Sequence, residues 1–250
     1  MTIHHDWNKT EVTGIGPLAQ PKMAWFSSAA GERMARPMPP SKRAFDIGLA
    51  LVLLVPLGLV MLIVACVLLV IQGRPVLYAA KRMRSPDRSF TQLKFRTMLF
   101  QEGDFGATGA HKKWRITPWG HFLRRSRIDE LPQLFNILRG DMSFVGPRPP
   151  LPEYVQRFPM IYARVLNSRP GATGLATLIY HRHEDRILAG CNSAAATEAA
   201  YYRRCLPAKL KIDLIYQRHR SLVLDLWILW NTVKIVISRR DERPRRRGRR

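Results

Sequence analysis

Residues Ile47–Ile71, IGLALVLLVPLGLVMLIVACVLLVI, run for 25 positions without a charge, and their reading decides the architecture. As a helix rising 1.5 Å per residue the run reaches roughly 37 Å, more than the roughly 30 Å hydrocarbon layer of a bilayer. Pro56 stands inside it, removing a backbone donor and crowding the preceding turn, so the arms on either side reach roughly 14 and 22 Å and neither crosses alone. Lys42 and Arg43 precede the run, and Arg74, Lys81, Arg82 and Arg84 follow it. Basic flanks favour the cytoplasm. A spanning helix kinked at Pro56 and a hairpin that enters and returns on one side both remain open. A cleaved signal peptide does not fit, because the run begins too far from Met1. Ile63-Val64-Ala65-Cys66 resembles a lipoprotein cleavage box, but apolar residues continue past the cysteine.

The run lies inside a chain whose mean hydropathy, -0.16, is that of a soluble protein. Membrane contact at one place is implied and a many-pass transporter is excluded. The 41 Lys and Arg against 18 Asp and Glu give a net charge of +23, which directs the surface toward nucleic acid, acidic lipid or phosphorylated substrate. Cys66, Cys191 and Cys205 are odd in number and form no Cys-x-x-Cys pair, so neither a disulfide framework nor a structural zinc site is indicated. The 250 residues suit one domain with tails.

Residues 1–40 read as a flexible lead ending in Arg36-Pro37-Met38-Pro39-Pro40, residues 41–238 as the folded domain, and 239–250 as a basic disordered tail. From Val76 short apolar runs alternate with basic residues, predicting a mixed α/β body near the membrane. Asp104-Phe105-Gly106 matches a kinase metal-binding triplet, yet no His-Arg-Asp loop accompanies it, and it reads as loop. Leu131, Leu134, Phe135 and Leu138 follow i, i+3, i+4, i+7 spacing before Gly140, predicting an amphipathic helix of about three turns. Leu222–Ile237, with Trp227 and Trp230, predicts a second helix, either interfacial or buried.

Asp129 and Glu130 open the first of these helices in this reading. One account is a capping box with Ser126 as N-cap and the acids complementing the helix dipole. The other is chemical. Lys113, Arg115, Arg124, Arg125 and Arg127 precede the pair and would draw in an anionic substrate. One carboxylate can attack phosphorus while the second binds Mg²⁺. Gly146-Pro147-Arg148-Pro149-Pro150 holds an arginine on extended backbone, suited to bidentate phosphate contact. Gly171-Ala172-Thr173-Gly174 reads as a common turn, and His181-Arg182-His183 lacks zinc spacing. Neither a Walker A loop, nor G-x-G-x-x-G, nor an Asp-x-Asp metal motif occurs.

In order along the chain, Lys42-Arg43-Ala44-Phe45-Asp46, Gly73-Arg74-Pro75-Val76, Lys94-Phe95-Arg96-Thr97-Met98, Ile116 to Arg125, Ser126 to Leu134, Gly140-Asp141-Met142-Ser143 and Val145 to Pro149 resemble the bacterial sugar transferase family, the monotopic polyprenyl-phosphate phosphoglycosyl transferases. The resemblance implies a compact membrane-docked α/β domain with a re-entrant membrane helix, residues 47–71, broken at Pro56, and amphipathic interfacial helices. It implies that Asp129 is the nucleophile and Glu130 the Mg²⁺ ligand, and that Arg124 and Arg148 contact substrate phosphates. Lys94, Arg96 and Asp213 occupy further substrate-side motif positions, and Lys42, Arg43, Asp46 and Pro56 belong to the anchor. The implied partners are a nucleotide sugar, UDP-linked, polyprenyl phosphate and membrane lipid, at the cytoplasmic face of a bacterial inner membrane. A membrane-tethered protein binding nucleic acid or acidic lipid is the rival reading. It explains the charge and the apolar run but not the Asp-Glu and Pro-Arg-Pro segments, so no nucleic acid is expected. Where the family has Ser-Pro at the helix break this chain has Val55-Pro56, and residues 180–205 follow the family pattern poorly, a place where sugar choice can differ.

Overall fold

The computed structural model describes residues 38–99 and 115–241. Residues 1–37 of the lead, Asp104-Phe105-Gly106, Lys113 and residues 242–250 lie outside the described residues. The chain is a mixed α/β protein, mostly helical, with one long apolar helix at its start.

That helix, α1, runs from Pro40 to Gln72, with Pro39 and Pro40 opening it and Gly73 (φ 67°) closing it. Pro56 lies inside the helix and not at a gap in it. Strands β1 (Leu77–Met83) and β2 (Ser89–Phe95) form an antiparallel hairpin with Tyr78 opposite Lys94, Ala80 opposite Gln92 and Arg82 opposite Phe90. Helix α2 (Pro118–Ser126) starts on Thr117, whose hydroxyl accepts from the Gly120 N–H at 3.0 Å, and a 3-10 turn (Ile128–Glu130) leads into α3 (Gln133–Arg139). Then come β3 (Ser143–Val145), α4 (Pro152–Arg157), α5 (Pro159–Val165) and β4 (Gly171–Thr173), the last pairing with β3 in parallel. Helices α6 (Leu175–Ala189) and α7 (Ala194–Ala200), a π-helical turn (Tyr201–Cys205), α8 (Leu206–His219) and α9 (Leu222–Asp241) complete the order.

The predicted capping box does not form. Ser126 ends α2 and turns its hydroxyl back onto the Phe122 and Leu123 carbonyls at 2.9 and 3.2 Å. Arg127 then takes the left-handed conformation, φ 60°, which bends the chain into the 3-10 turn. The dyad therefore stands between two helices, and the expected three-turn helix is a 3-10 turn plus seven residues.

Two apolar clusters hold the body. One joins Ala50, Met61 and Leu68 of α1 to Phe90, Phe95, Leu123, Leu134, Ile137, Val145 and Ile228; the other packs Tyr154, Phe158, Tyr162 and Val165 against Tyr202, Leu206, Leu210 and Leu214. The start of α1 is tied to the first cluster by polar contacts. Lys42 pairs with Asp225, a buried ion pair whose carboxylate also accepts from the Tyr216 hydroxyl at 2.6 Å. Arg43 donates to the Ile137 and Leu138 carbonyls at 2.6 and 2.7 Å, covering the open end of α3. Asp46, fully buried, accepts from the Ser143 hydroxyl at 3.1 Å and the Phe144 N–H at 3.3 Å. The outer face of α9 leaves Val223, Leu226, Trp227, Trp230, Val233 and Ile237 exposed, whereas Asp225 and Ile228 face inward.

Candidate active site

The hairpin and the 3-10 turn bring the central residues together. Asn136, fully buried on α3, accepts from the Leu93 N–H at 3.0 Å and donates to the Thr91 carbonyl at 2.8 Å, taking the place of a neighbouring strand along β2. This fixes β2 against the turn that carries the dyad. Lys94 of β2 meets Glu130 at 2.6 Å, and Arg127 approaches the other Glu130 oxygen at 3.5 Å. Burial opposes the Glu130 charge, but Lys94, Arg127 and Arg148 overcome it and hold its carboxyl down at about 2. Asp129 goes the other way. Burial first, and the Glu130 charge second, push its carboxyl up to about 6, against Lys94, Arg127 and Arg124, and its Oδ1 is buried with no hydrogen-bond partner. Adjacent carboxylates thus differ by several units in acidity, the arrangement by which one site holds an ionised ligand and a desolvated nucleophile or base.

A recess opens beside the pair, lined by Arg82, Gln92, Lys94, Glu130, Gln133, Arg148, Pro149, Gly171 and Ala172. Arg148 is exposed while Pro147, Pro149 and Pro150 around it are buried, so the prolines are the fixed part and the guanidinium is presented. Backbone contact makes this possible. A Cβ at Gly171 would lie 2.1 Å from the Gly146 nitrogen, and one at Gly146 2.1 Å from the Arg169 carbonyl, so β3 and β4 approach as only glycines allow. Gly171, read as part of a common turn in the sequence, instead opens β4 and lines the recess.

The remaining expected residues divide. Arg124 hydrogen-bonds through Nε to the Thr97 hydroxyl at 2.8 Å and acts electrostatically on Asp129. Arg96 is not brought to the recess: its guanidinium donates to the Gln72 and Gly73 carbonyls, the latter at 3.0 Å, at the far end of α1. Asp213 is not among the recess residues either. It is buried on α8, where burial pushes its carboxyl to about 7 against the pull of Lys209. Sequence reading missed Arg82, Gln92 and Gln133. Lys94 and Gln92 are alternate residues of one strand, and Arg82 lies on the same face of the hairpin, so a period of two was the available signal.

Among the described residues no three His, Cys, Asp or Glu side chains converge as a metal cage. The donor set still suits Mg²⁺, which takes one or two carboxylates and draws its other ligands from substrate phosphate and water. Glu130, now paired with Lys94 and Arg127, and the partnerless Oδ1 of Asp129 would be those carboxylate donors.

A carboxylate pair lies beneath a cluster of cations on a body that carries a long apolar helix. Residues 38–239 match the family model for bacterial sugar transferases. The chain belongs to that family and is an enzyme of the phosphoglycosyl transferase class. It is 32% identical over 213 residues to the exopolysaccharide production protein ExoY of Sinorhizobium fredii, covering 78% of this chain and 85% of that one. It is 33% identical over 208 residues to an undecaprenyl-phosphate glucose phosphotransferase of Komagataeibacter xylinus, covering 80% of this chain and 36% of that one. An Aeromonas hydrophila enzyme named UDP-N-acetylgalactosamine-undecaprenyl-phosphate N-acetylgalactosaminephosphotransferase is 32% identical over 204 residues, 79% of this chain and 44% of its own length. The chain therefore spans less than half of the latter two.

Proposed function

We propose that the protein transfers a sugar 1-phosphate from a UDP-sugar to undecaprenyl phosphate at the cytoplasmic face of the bacterial inner membrane, giving undecaprenyl diphosphosugar and UMP. The observation that carries this reading is the split acidity of Asp129 and Glu130 at the edge of a recess holding Arg148, Lys94 and Arg82. The relatives' names supply the substrates: UDP-N-acetylgalactosamine and undecaprenyl phosphate in one, undecaprenyl phosphate and glucose in another.

In this mechanism an Asp129 carboxylate oxygen attacks the sugar-bearing phosphorus, and the bond to the bridging oxygen breaks, releasing UMP and leaving an acyl phosphate of the sugar on Asp129. The phosphate of the carrier lipid then attacks the same phosphorus and regenerates the carboxylate. Desolvation raises the reactivity of Asp129, and Arg148, Lys94 and Arg124 neutralise the phosphate oxygens so that an anion can approach an anion. Glu130 and Asp129 would hold Mg²⁺, which when bound supplies charge neutralisation at the pyrophosphate. The recess has only about 10 Å³ of cavity volume, so the phosphates bind at its mouth or move these long side chains aside.

The apolar helix is read as re-entrant. Both of its ends are tied to the body, Arg43 to the Ile137 and Leu138 carbonyls and the Gln72 carbonyl to Arg96, an attachment that a helix bent at Pro56 and returning to one side would accommodate. The exposed tryptophans of α9, with Trp119 and Phe122 on α2, are read as the headgroup-level surface.

The deciding test offers purified protein, Mg²⁺ and undecaprenyl phosphate a panel of nucleotide sugars and follows nucleoside monophosphate release. With UDP-sugar alone the protein should release up to one equivalent of UMP and gain the mass of one sugar phosphate. Turnover with the lipid but no trappable adduct would favour direct transfer in a ternary complex. No release with any donor would overturn the proposal.

A further inference from the structure

The reading above uses Lys94, Arg124 and Arg148 and leaves Arg82 without a task. Arg82 lies on β1, four pairs along the hairpin from Tyr78 and Lys94 and on the same face, and both cations line the recess. The Met83 N–H donates to the Pro150 carbonyl at 3.0 Å, which locks the Pro-Arg-Pro segment against the strand beside Arg82. Arg82 is half-buried and its Nε is buried without a hydrogen-bond partner. Burial first, and the like charge of Arg148 second, lower its pKa. Lys94 contacts Glu130, and the hairpin register carries the same face from Lys94 past Gln92 to the position of Arg82, so Arg82 lies at the end of the recess away from the dyad.

Two guanidiniums lining one recess, one of them with a buried donor that no protein group satisfies, suit a phosphate group. In an in-line displacement the leaving oxygen departs on the side opposite the nucleophile. We infer that Arg82 binds the phosphate of the departing nucleoside monophosphate, at the end of the recess away from the dyad. When the bridging P–O bond breaks, that oxygen keeps the electron pair and the departing phosphate gains one negative charge; Arg82 neutralises it, and no proton moves. Gln133, almost fully buried and lining the same recess with its Oε1 unpartnered, gives the site a neutral wall that leaves the guanidinium charge available.

This rests on the proposed UDP-sugar reaction, and the test keeps the two apart. UMP binding to the full-length protein in lipid nanodiscs is measured by calorimetry, and UMP release from UDP-sugar without carrier lipid by single-turnover kinetics. Arg82→Gln should weaken UMP binding by about tenfold or more and slow UMP release by a larger factor, with Arg82→Lys between it and wild type. The melting transition and the reaction of preformed adduct with undecaprenyl phosphate should stay near wild type. If Arg82→Gln binds UMP as wild type does, or alters only the choice of sugar, the assignment of Arg82 is wrong although the reaction stands. If Arg82→Gln does not fold, Arg82→Lys with unweakened UMP binding refutes the assignment alone. A wild-type protein that neither binds UMP nor releases it removes the reaction and this inference together.

Discussion

Between pH 3.8 and about 6 the folded protein holds a proton at Asp129 that the unfolded chain gives up, because burial and Glu130 raise that carboxyl. With more protons bound in the folded form, stability falls as pH rises through this window and stays lower above it. Asp129→Asn removes the buried charge, so at pH 8 it should raise stability by up to about 3 kcal/mol while cutting UMP release by more than about 10³-fold. Chemical denaturation and the UMP assay check the two halves. An active Asp129→Asn protein, shown free of deamidation, would remove the nucleophile assignment. In the wild type the first-step rate should climb with pH through about 6, following one ionisation. At Arg148 the fork matters more than the charge, so Arg148→Lys should lose at least about tenfold in kcat/KM. Wild-type turnover by the lysine variant would make Arg148 a simple electrostatic contributor.

At the scale of elements, α3 acts on the site through Asn136. Asn136→Leu would strand the Leu93 N–H and the Thr91 carbonyl, each costing about 1–3 kcal/mol, so the variant should lose about 2–5 kcal/mol. A urea titration giving a loss under about 1 kcal/mol would show that β2 does not depend on this amide. Asn136 could be picked out in the sequence only by resemblance, because its partners lie more than forty residues earlier. The dyad was legible as a pair of acids but its local structure was not. Ser-x-x-Asp looks the same whether the serine opens a helix or closes one, and the better start signal was Thr117 followed by Pro118. Lys94 could be placed near substrate, but its contact with Glu130 depends on hairpin register, which side-chain types alone do not fix. Arg96 and Asp213 show the converse. Motif membership brought them to notice, whereas the fold uses one to close the end of α1 and buries the other away from the recess.

For the whole molecule the apolar run was the most legible feature, since 25 uncharged residues leave few alternatives to membrane contact. The path it takes was not, because a single proline is compatible with a kink or a hairpin. Ser41 and Arg74 should lie on the same, cytoplasmic, side. Single cysteines at these positions, in a background lacking Cys66, Cys191 and Cys205, should both resist a membrane-impermeant thiol reagent in intact cells. Labelling of position 41 from outside would exclude the hairpin.

The ion pair of Lys42 with Asp225, and Arg43 on the Ile137 and Leu138 carbonyls, join the first turn of α1 directly to α9 and α3, with no linker between anchor and body. In the proposed reaction a carboxylate on a body fixed in this way to its apolar helix would keep a constant depth and sweep a plane, and the carrier lipid would be counted per unit area. Diluting the membrane with inert phospholipid slows encounter even when the amount of carrier in the vessel is unchanged, while the water-soluble donor continues to be counted per litre.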